Sequence, residues 1–242
     1  MLYFDDALKI IISAIGSYLF YKAYRPPHAP MDAKERDANV KGAMENRFWS
    51  QYLVILKAHT QLFLGIIEIS AMLLKNWPSL IPFPVQSLLS FPEGNVERLH
   101  FSTLHVIGGL MIIMGGAIRV WAISALGHFF RFQVGIQKDH RLIKHGLYAV
   151  VRHPSYMGMQ LTHIGSLLWH LTPGSWVRES GVLNTYMGLV LLSAYFCFIV
   201  TTFYTITIAR MRQEDKVIQQ AFGKEWEEWA KTVPYRVMPG VY

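Results

Sequence analysis

Five apolar stretches organise the chain, at about 7–24, 53–74, 102–126, 156–171 and 184–208, each near the roughly 20 residues that a helix needs to cross a bilayer. Hydrocarbon offers no partner to backbone amides and carbonyls, so such segments must be helical. The pattern predicts an all-α fold, a polytopic integral membrane helical bundle with about five transmembrane helices. Beyond residue 209 the chain turns polar with helical spacing, which predicts a helix continuing into water. On it Arg210 and Glu214 stand four apart and share a face. By itself that spacing is an ordinary intrahelical ion pair of about 0.2–0.5 kcal/mol.

The intervening segments are punctuated. Residues 25–47 alternate acids and bases around Pro26, Pro27 and Pro30, predicting a solvated connector with an interfacial helix near Phe48 and Trp49. Pro78, Pro82 and Pro84 exclude a long straight helix and predict an interfacial or re-entrant loop. Gly108, Gly109, Gly115 and Gly116 recur at a seven-residue interval in the third span, a face that lets a neighbouring helix approach closely. A groove for a lipid tail is its alternative use. His163 and His170 share that offset on the fourth span but lack the closer partners a metal needs, so they read as hydrogen-bonded core or interface residues. Cys197, the only cysteine, excludes an internal disulfide and is expected to be a buried thiol; no metal site is expected.

Composition agrees with a membrane protein: the 242 residues are 52% hydrophobic and 16% charged, and the mean hydropathy is positive. A formal charge of +7 would suit nucleic acid if gathered on one soluble face. Here it falls in alternate loops, and no nucleic-acid partner is expected. Sixteen of the 23 Lys and Arg lie in 25–52, 127–155 and from 209 onward, whereas Lys9, Lys75, Arg98 and Arg178 occupy the other side. The positive-inside rule then puts the amino terminus outside and the C-terminal helix in the cytoplasm. Lys22, Lys57 and Arg119 fall in the inner halves of their spans, where long stems are expected to snorkel to the interface. The first stretch opens on Asp5 and Asp6 without a basic leader or small-residue cleavage site, which favours a retained span over a removed signal peptide.

Chemistry concentrates between His140 and Gly158, where basic and aromatic residues press against the mouth of the fourth span. Arg141, Lys144 and Arg152 suit simple anchoring to anionic headgroups. His153-Pro154-Ser155-Tyr156 asks for more. Proline pushes His153 out of helical geometry while fitting the first helical turn itself, which predicts free amides at Ser155 and Tyr156 and a helix start that attracts an anion.

Together, Arg-His-Pro-Ser-Tyr-Met-Gly at 152–158 and Glu-Asp-Lys-Val-Ile at 214–218, followed by Phe222-Gly223 and tryptophans, resemble the isoprenylcysteine carboxyl methyltransferase family over about residues 125–242. The family's two-part signature reads RHPxYxG and, after the next span, EExxL. The first part matches fully; Asp215 stands for the second glutamate and Ile218 for the leucine. The resemblance implies an integral membrane enzyme that uses S-adenosylmethionine to esterify the C-terminal carboxylate of a prenylated cysteine. It implies that Gln133, His140, Arg141, Leu142, Ile143, Tyr148, His153, Pro154, Ser155, Tyr156 and Glu214 surround the cofactor, and that Arg210, one turn before Glu214, meets the substrate.

On that reading the amides after Pro154 and the His153 side chain receive the methionine carboxylate, Glu214 meets the ammonium or ribose hydroxyls, and Tyr148 and Tyr156 wall the adenosine. Trp226, Trp229 and Tyr235 either cover the cofactor or simply anchor the tail at the interface. Residues 1–126 form a three-span region with its connector, and 127–242 a cofactor-binding and catalytic region within the same integral domain. The implied partners are prenylated CaaX-type protein C-termini and the bilayer; the implied compartment is the endoplasmic reticulum. A second reading, methylation of a phospholipid amine or small thiol, uses the same cofactor half. A third is a noncatalytic scaffold or transporter whose charges only fix topology.

Overall fold

The computed structural model describes residues 3–25, 27–28, 48–132, 135–205 and 210–241, with the backbone alone at 48–51. Nine α-helices and no strand occur among the described residues. In chain order they are α1 (Phe4–Tyr24), α2 (Phe48–Asn76), α3 (Phe83–Leu89), α4 (Thr103–Leu126), α5 (Pro154–Leu171), α6 (Trp176–Glu179), α7 (Tyr186–Tyr204), α8 (Met211–Phe222) and α9 (Lys224–Thr232). Among the described residues three helical segments are long and apolar enough to cross a membrane: Tyr52–Asn76, Thr103–Phe129 and Tyr186–Tyr204.

The apolar stretches match helices α1, α2, α4, α5 and α7 to within a few residues at most ends. Two local expectations change. Helix α2 runs unbroken from Phe48, so Phe48 and Trp49 open a long helix instead of forming an interfacial one; most of the 25–47 connector lies outside the described residues. The polar tail is two helices, because Gly223 takes a left-handed φ of 51° between α8 and α9. The proline-rich segment forms a single turn at Pro78–Leu80 and the short α3, with Leu80, Phe83 and Leu88 exposed.

Glycine packing sets the centre of the bundle. Helices α4 and α5 make the most extensive helix pair, and α1 packs on both α2 and α4. A Cβ on Gly115 would lie 2.6 Å from the Gly158 carbonyl oxygen, and one on Gly108 would lie 2.9 Å from that of Gly165. Only hydrogen fits at either crossing, and bare backbones meet. Gly109 and Gly116 turn to α1, against Ile12 and Leu19. The seven-residue glycine interval is therefore a packing device serving two neighbours.

Two of the charges inside the bundle, Lys9 and Glu68, pair with each other. The Lys9 Nζ lies 2.6 Å from Glu68 and donates to the Gly174 carbonyl at 2.7 Å, while the Trp176 amide donates to Glu68 at 2.9 Å. Lys22 is exposed, but Lys57 and Arg119 are each 4% exposed and do not snorkel. Lys57 turns inward over the rings of Tyr24, Phe20 and Phe198, and Arg119 over the Tyr24 ring toward the Ala23 carbonyl. His163 bonds the Tyr24 hydroxyl at 3.1 Å, and His170 bonds Gln61 at 3.2 Å, as expected of core histidines. Cys197 is exposed instead of buried. Only 11% of the apolar stretch of α7 is buried, against 44% for α4, so α7 stands apart and Cys197 opens onto an apolar groove between α7 and α2.

Candidate functional site

The site begins where Pro154 starts α5. His153 precedes it at φ −125° and ψ 61°, which turns its carbonyl over the first turn to accept from the amides of Tyr156 (3.0 Å) and Met157 (3.2 Å). The expected free amide at Tyr156 is thus satisfied within the turn. Below it, Arg119 on α4 donates to the Ala23 carbonyl at 2.9 Å and to the Ser155 Oγ at 2.7 Å, tying the end of α1 to the start of α5.

Helix α8 arrives from the other side. The Tyr156 hydroxyl donates to the Glu214 carboxylate at 2.5 Å, and the Arg210 Nε donates to the same Oε1 at 3.1 Å. The Arg210 Nη2 also donates to the Phe132 carbonyl at 2.6 Å, and its guanidinium lies 5.8 Å from the Tyr156 ring centroid. The 210–214 pair is more than a surface ion pair, since Glu214 also bridges to α5.

His153 sits between adjacent acids: Nε2 is 3.0 Å from Asp215 Oδ1 and Nδ1 is 3.6 Å from Glu214 Oε2. Asp215 also accepts from Arg236 Nε at 2.9 Å, with Arg152 at 3.6 Å. The tail closes the arrangement, because the amides of Arg152 and His153 donate to the carbonyls of Tyr235 (3.0 Å) and Arg236 (2.7 Å). The His153 imidazole thereby joins two segments while still lining a chamber beside them.

These contacts set the charges. Burial opposes ionisation of Glu214, but His153, Arg210 and Tyr156 outweigh it and bring its pKa down to about 2. Burial likewise opposes ionisation of Asp215, while His153, Arg152 and Arg236 prevail and lower its pKa. Burial would discharge His153, yet the two carboxylates raise its pKa above the ordinary 6.5. Burial, with His128 nearby, lowers the pKa of His140, favouring a neutral ring stacked 4.6 Å from Phe129.

One chamber collects most of the expected residues. His140, Arg141, Leu142, Ile143, Tyr148, His153, Ser155, Tyr156, Arg210 and Glu214 line it together. Pro154 is buried at the helix start and does not line it. Gln133 lies outside the described residues. The Tyr148 hydroxyl points to the Ala122 carbonyl at 3.3 Å, and Trp229, 7% exposed, donates its indole N–H to the Tyr148 carbonyl at 3.1 Å. Trp229 is therefore part of the wall, not a membrane anchor.

Tyr24, Lys57, Arg119, Phe129 and Asp215 escaped the sequence reading. The first four line the chamber, and Asp215 braces His153. A signal existed for two of them, because a cation inside a span is by default a functional candidate. Asp215 does more than stand for the signature's second glutamate, because adjacent acids on a helix point about 100° apart and can face two nitrogens of one ring.

Residues 107–177 match the isoprenylcysteine carboxyl methyltransferase family. The chain is similar to the "Probable protein-S-isoprenylcysteine O-methyltransferase" of Oryza sativa subsp. indica, 30% identical over 60% of this chain and 64% of the relative. It is 26% identical to "Protein-S-isoprenylcysteine O-methyltransferase B" of Arabidopsis thaliana over 76% of this chain and 88% of that protein. The match spans just under two thirds of the rice protein's length. Against the "Protein-S-isoprenylcysteine O-methyltransferase" of Saccharomyces cerevisiae it is 30% identical over 74% of this chain and 67% of the yeast protein. Identity of that extent, together with the match at 107–177, shows that the chain belongs to the isoprenylcysteine carboxyl methyltransferase family.

Proposed function

We propose that this protein transfers a methyl group from S-adenosylmethionine to the C-terminal carboxylate of a prenylated cysteine, a reading supported by the yeast relative's name as a protein-S-isoprenylcysteine O-methyltransferase. The observation that carries it is the junction of Tyr156, Glu214 and Arg210 beside an apolar groove. The chamber's donor set suits the cofactor: an ionised carboxylate at Glu214 for its ammonium or ribose hydroxyls, the Phe129 and His140 faces for adenine, and Tyr148 and Tyr156 as walls. When bound, S-adenosylmethionine supplies an electrophilic methyl on a sulfonium.

An acceptor carboxylate is already ionised at neutral pH, its ordinary pKa lying about three units lower, so the reaction needs no general base. Positioning is the protein's task. Arg210, held by Glu214 and the Phe132 carbonyl, presents a guanidinium suited to a carboxylate through paired hydrogen bonds. The prenyl chain takes the groove between α2 and α7, about 800 Å³, which shares Lys57 and Phe198 with the chamber. A lipid-borne acid thus reaches the cofactor from the bilayer side.

Helices α1 and α5 complete a five-span topology with α2, α4 and α7, and α8 and α9 lie in the cytoplasm, where the basic loops collect. Residues 1–126 supply three spans with their connector, and 127–242 supply the other two spans, the cytoplasmic tail and most of the chamber. In a eukaryotic cell the compartment is the endoplasmic reticulum, and prenylated CaaX-type C-termini are the partners. The test supplies labelled S-adenosylmethionine and N-acetyl-farnesylcysteine to the purified protein in vesicles. A base-labile methyl ester is expected; methylated lipid amine or thiol without ester would overturn the acceptor assignment.

A further inference from the structure

The two cavities meet at Lys57. Its side chain is 4% exposed and lines both the polar chamber and the apolar groove. Among the described residues its Nζ has no hydrogen-bond partner. The ammonium instead lies over ring faces, 4.6 Å from the centroid of Tyr24, 5.5 Å from Phe20 and 5.8 Å from Phe198. Arg119 lies 4.8 Å from the same Tyr24 centroid, so a second buried cation stands close by.

Other buried cations of this bundle are treated differently. Lys9 has Glu68 at 2.6 Å, and Arg119 has the Ala23 and Ser155 oxygens. Aromatic faces offset only part of the cost of drying an ammonium, and a buried cation without an anion is destabilising. Residues that cost stability without a structural return are those that function retains. What Lys57 lacks is an anion, and the space beside it is a long apolar groove. A ligand with one negative end and an extended hydrocarbon chain satisfies both.

We propose that Lys57 completes the acceptor site: its ammonium holds the α-carboxylate of the prenylcysteine at the mouth between groove and chamber, with Arg210 on the chamber side. This rests on the prenylcysteine reading above. Because a fixed cation attracts the acid and not its neutral methyl ester, Lys57 also discriminates substrate from product. Methylation removes the charge that holds the acceptor, and the ester returns to the bilayer.

The test is equilibrium binding of N-acetyl-farnesylcysteine and of its carboxamide to the full chain in vesicles, with saturating S-adenosylhomocysteine to prevent turnover. The wild type is expected to bind the acid at least about tenfold more tightly than the amide, the amount a charge-assisted hydrogen bond supports. Lys57→Met should weaken acid binding by about tenfold and leave amide binding unchanged, Arg210 keeping the residual preference. Lys57→Arg should retain most of it. Without acceptor, Lys57→Met should melt at a higher temperature than the wild type, since it removes an unpaired charge; a lower melting temperature would overturn the proposal by revealing a structural role. An undiminished acid preference in Lys57→Met would overturn the Lys57 assignment alone. A wild type that binds S-adenosylhomocysteine but neither farnesyl ligand would overturn the prenylcysteine reading and Lys57 with it.

Discussion

The Tyr156 hydroxyl lies 2.5 Å from a carboxylate oxygen of Glu214, 58 residues further along the chain. That contact joins the start of α5 to the first turn of α8, and Arg210 shares the same oxygen at 3.1 Å. The two signature segments therefore meet at a single carboxylate, held ionised by its neighbours.

Arg210→Lys keeps the charge but loses the planar fork and the Phe132 clamp. Turnover should fall by about 100-fold or more, as for other transition-state donors, with S-adenosylmethionine binding retained. Steady-state kinetics beside cofactor thermal shifts check this; unchanged turnover would remove Arg210 from the acceptor site.

The His153 link gives stability a pH signature. Its raised pKa means that the link contributes fully below 6.5 and is lost as pH rises through the higher folded value. Glu214 runs the other way, its contribution present above 4.5 and lost as pH falls toward about 2. Melting temperature should decline on the alkaline side in the wild type, and His153→Gln should flatten that limb. An unaltered alkaline slope in His153→Gln would disconnect the histidine from it.

Glycine crossings predict a steep packing penalty. In Gly158→Ala the new methyl meets the Gly115 carbonyl at 2.5 Å, and a backbone atom cannot swing aside as a side chain can. Destabilisation of about 1–3 kcal/mol is expected, read as a lowered melting temperature in detergent. Gly127→Ala meets no neighbouring atom but is strained by a φ of 54°, so it separates a backbone cost from a collision.

Removing one side of the Lys9 and Glu68 pair should cost more than removing both. Glu68→Leu leaves a buried ammonium and is expected to lose about 3–5 kcal/mol, whereas adding Lys9→Met should recover part of that loss, the Trp176 amide still lacking its acceptor. A double-mutant cycle by thermal melting decides between these outcomes.

Long apolar stretches made α1, α2, α4, α5 and α7 legible as helices, and three of these segments are long and apolar enough to cross a bilayer. The two signature segments were legible as candidates, and the structure brings their residues to one chamber. Lys57 and Arg119 were misassigned since snorkelling depends on what lies inside the bundle, and the Tyr24 ring that attracts both belongs to another helix. The fates of His153 and Trp229 were also hidden. Each is decided by a partner far along the chain, Asp215 for His153 and the Tyr148 carbonyl for Trp229, which no local spacing reveals.

Calorimetric binding of S-adenosylhomocysteine to the wild type, Tyr156→Phe and Glu214→Ala tests the shared chamber most directly. Saturable one-to-one binding by the wild type is expected, with affinity reduced by about tenfold or more in Glu214→Ala and less in Tyr156→Phe. Equal binding in all three proteins, or none by the wild type, would contradict a methyl-donor site built on the Tyr156 and Glu214 contact.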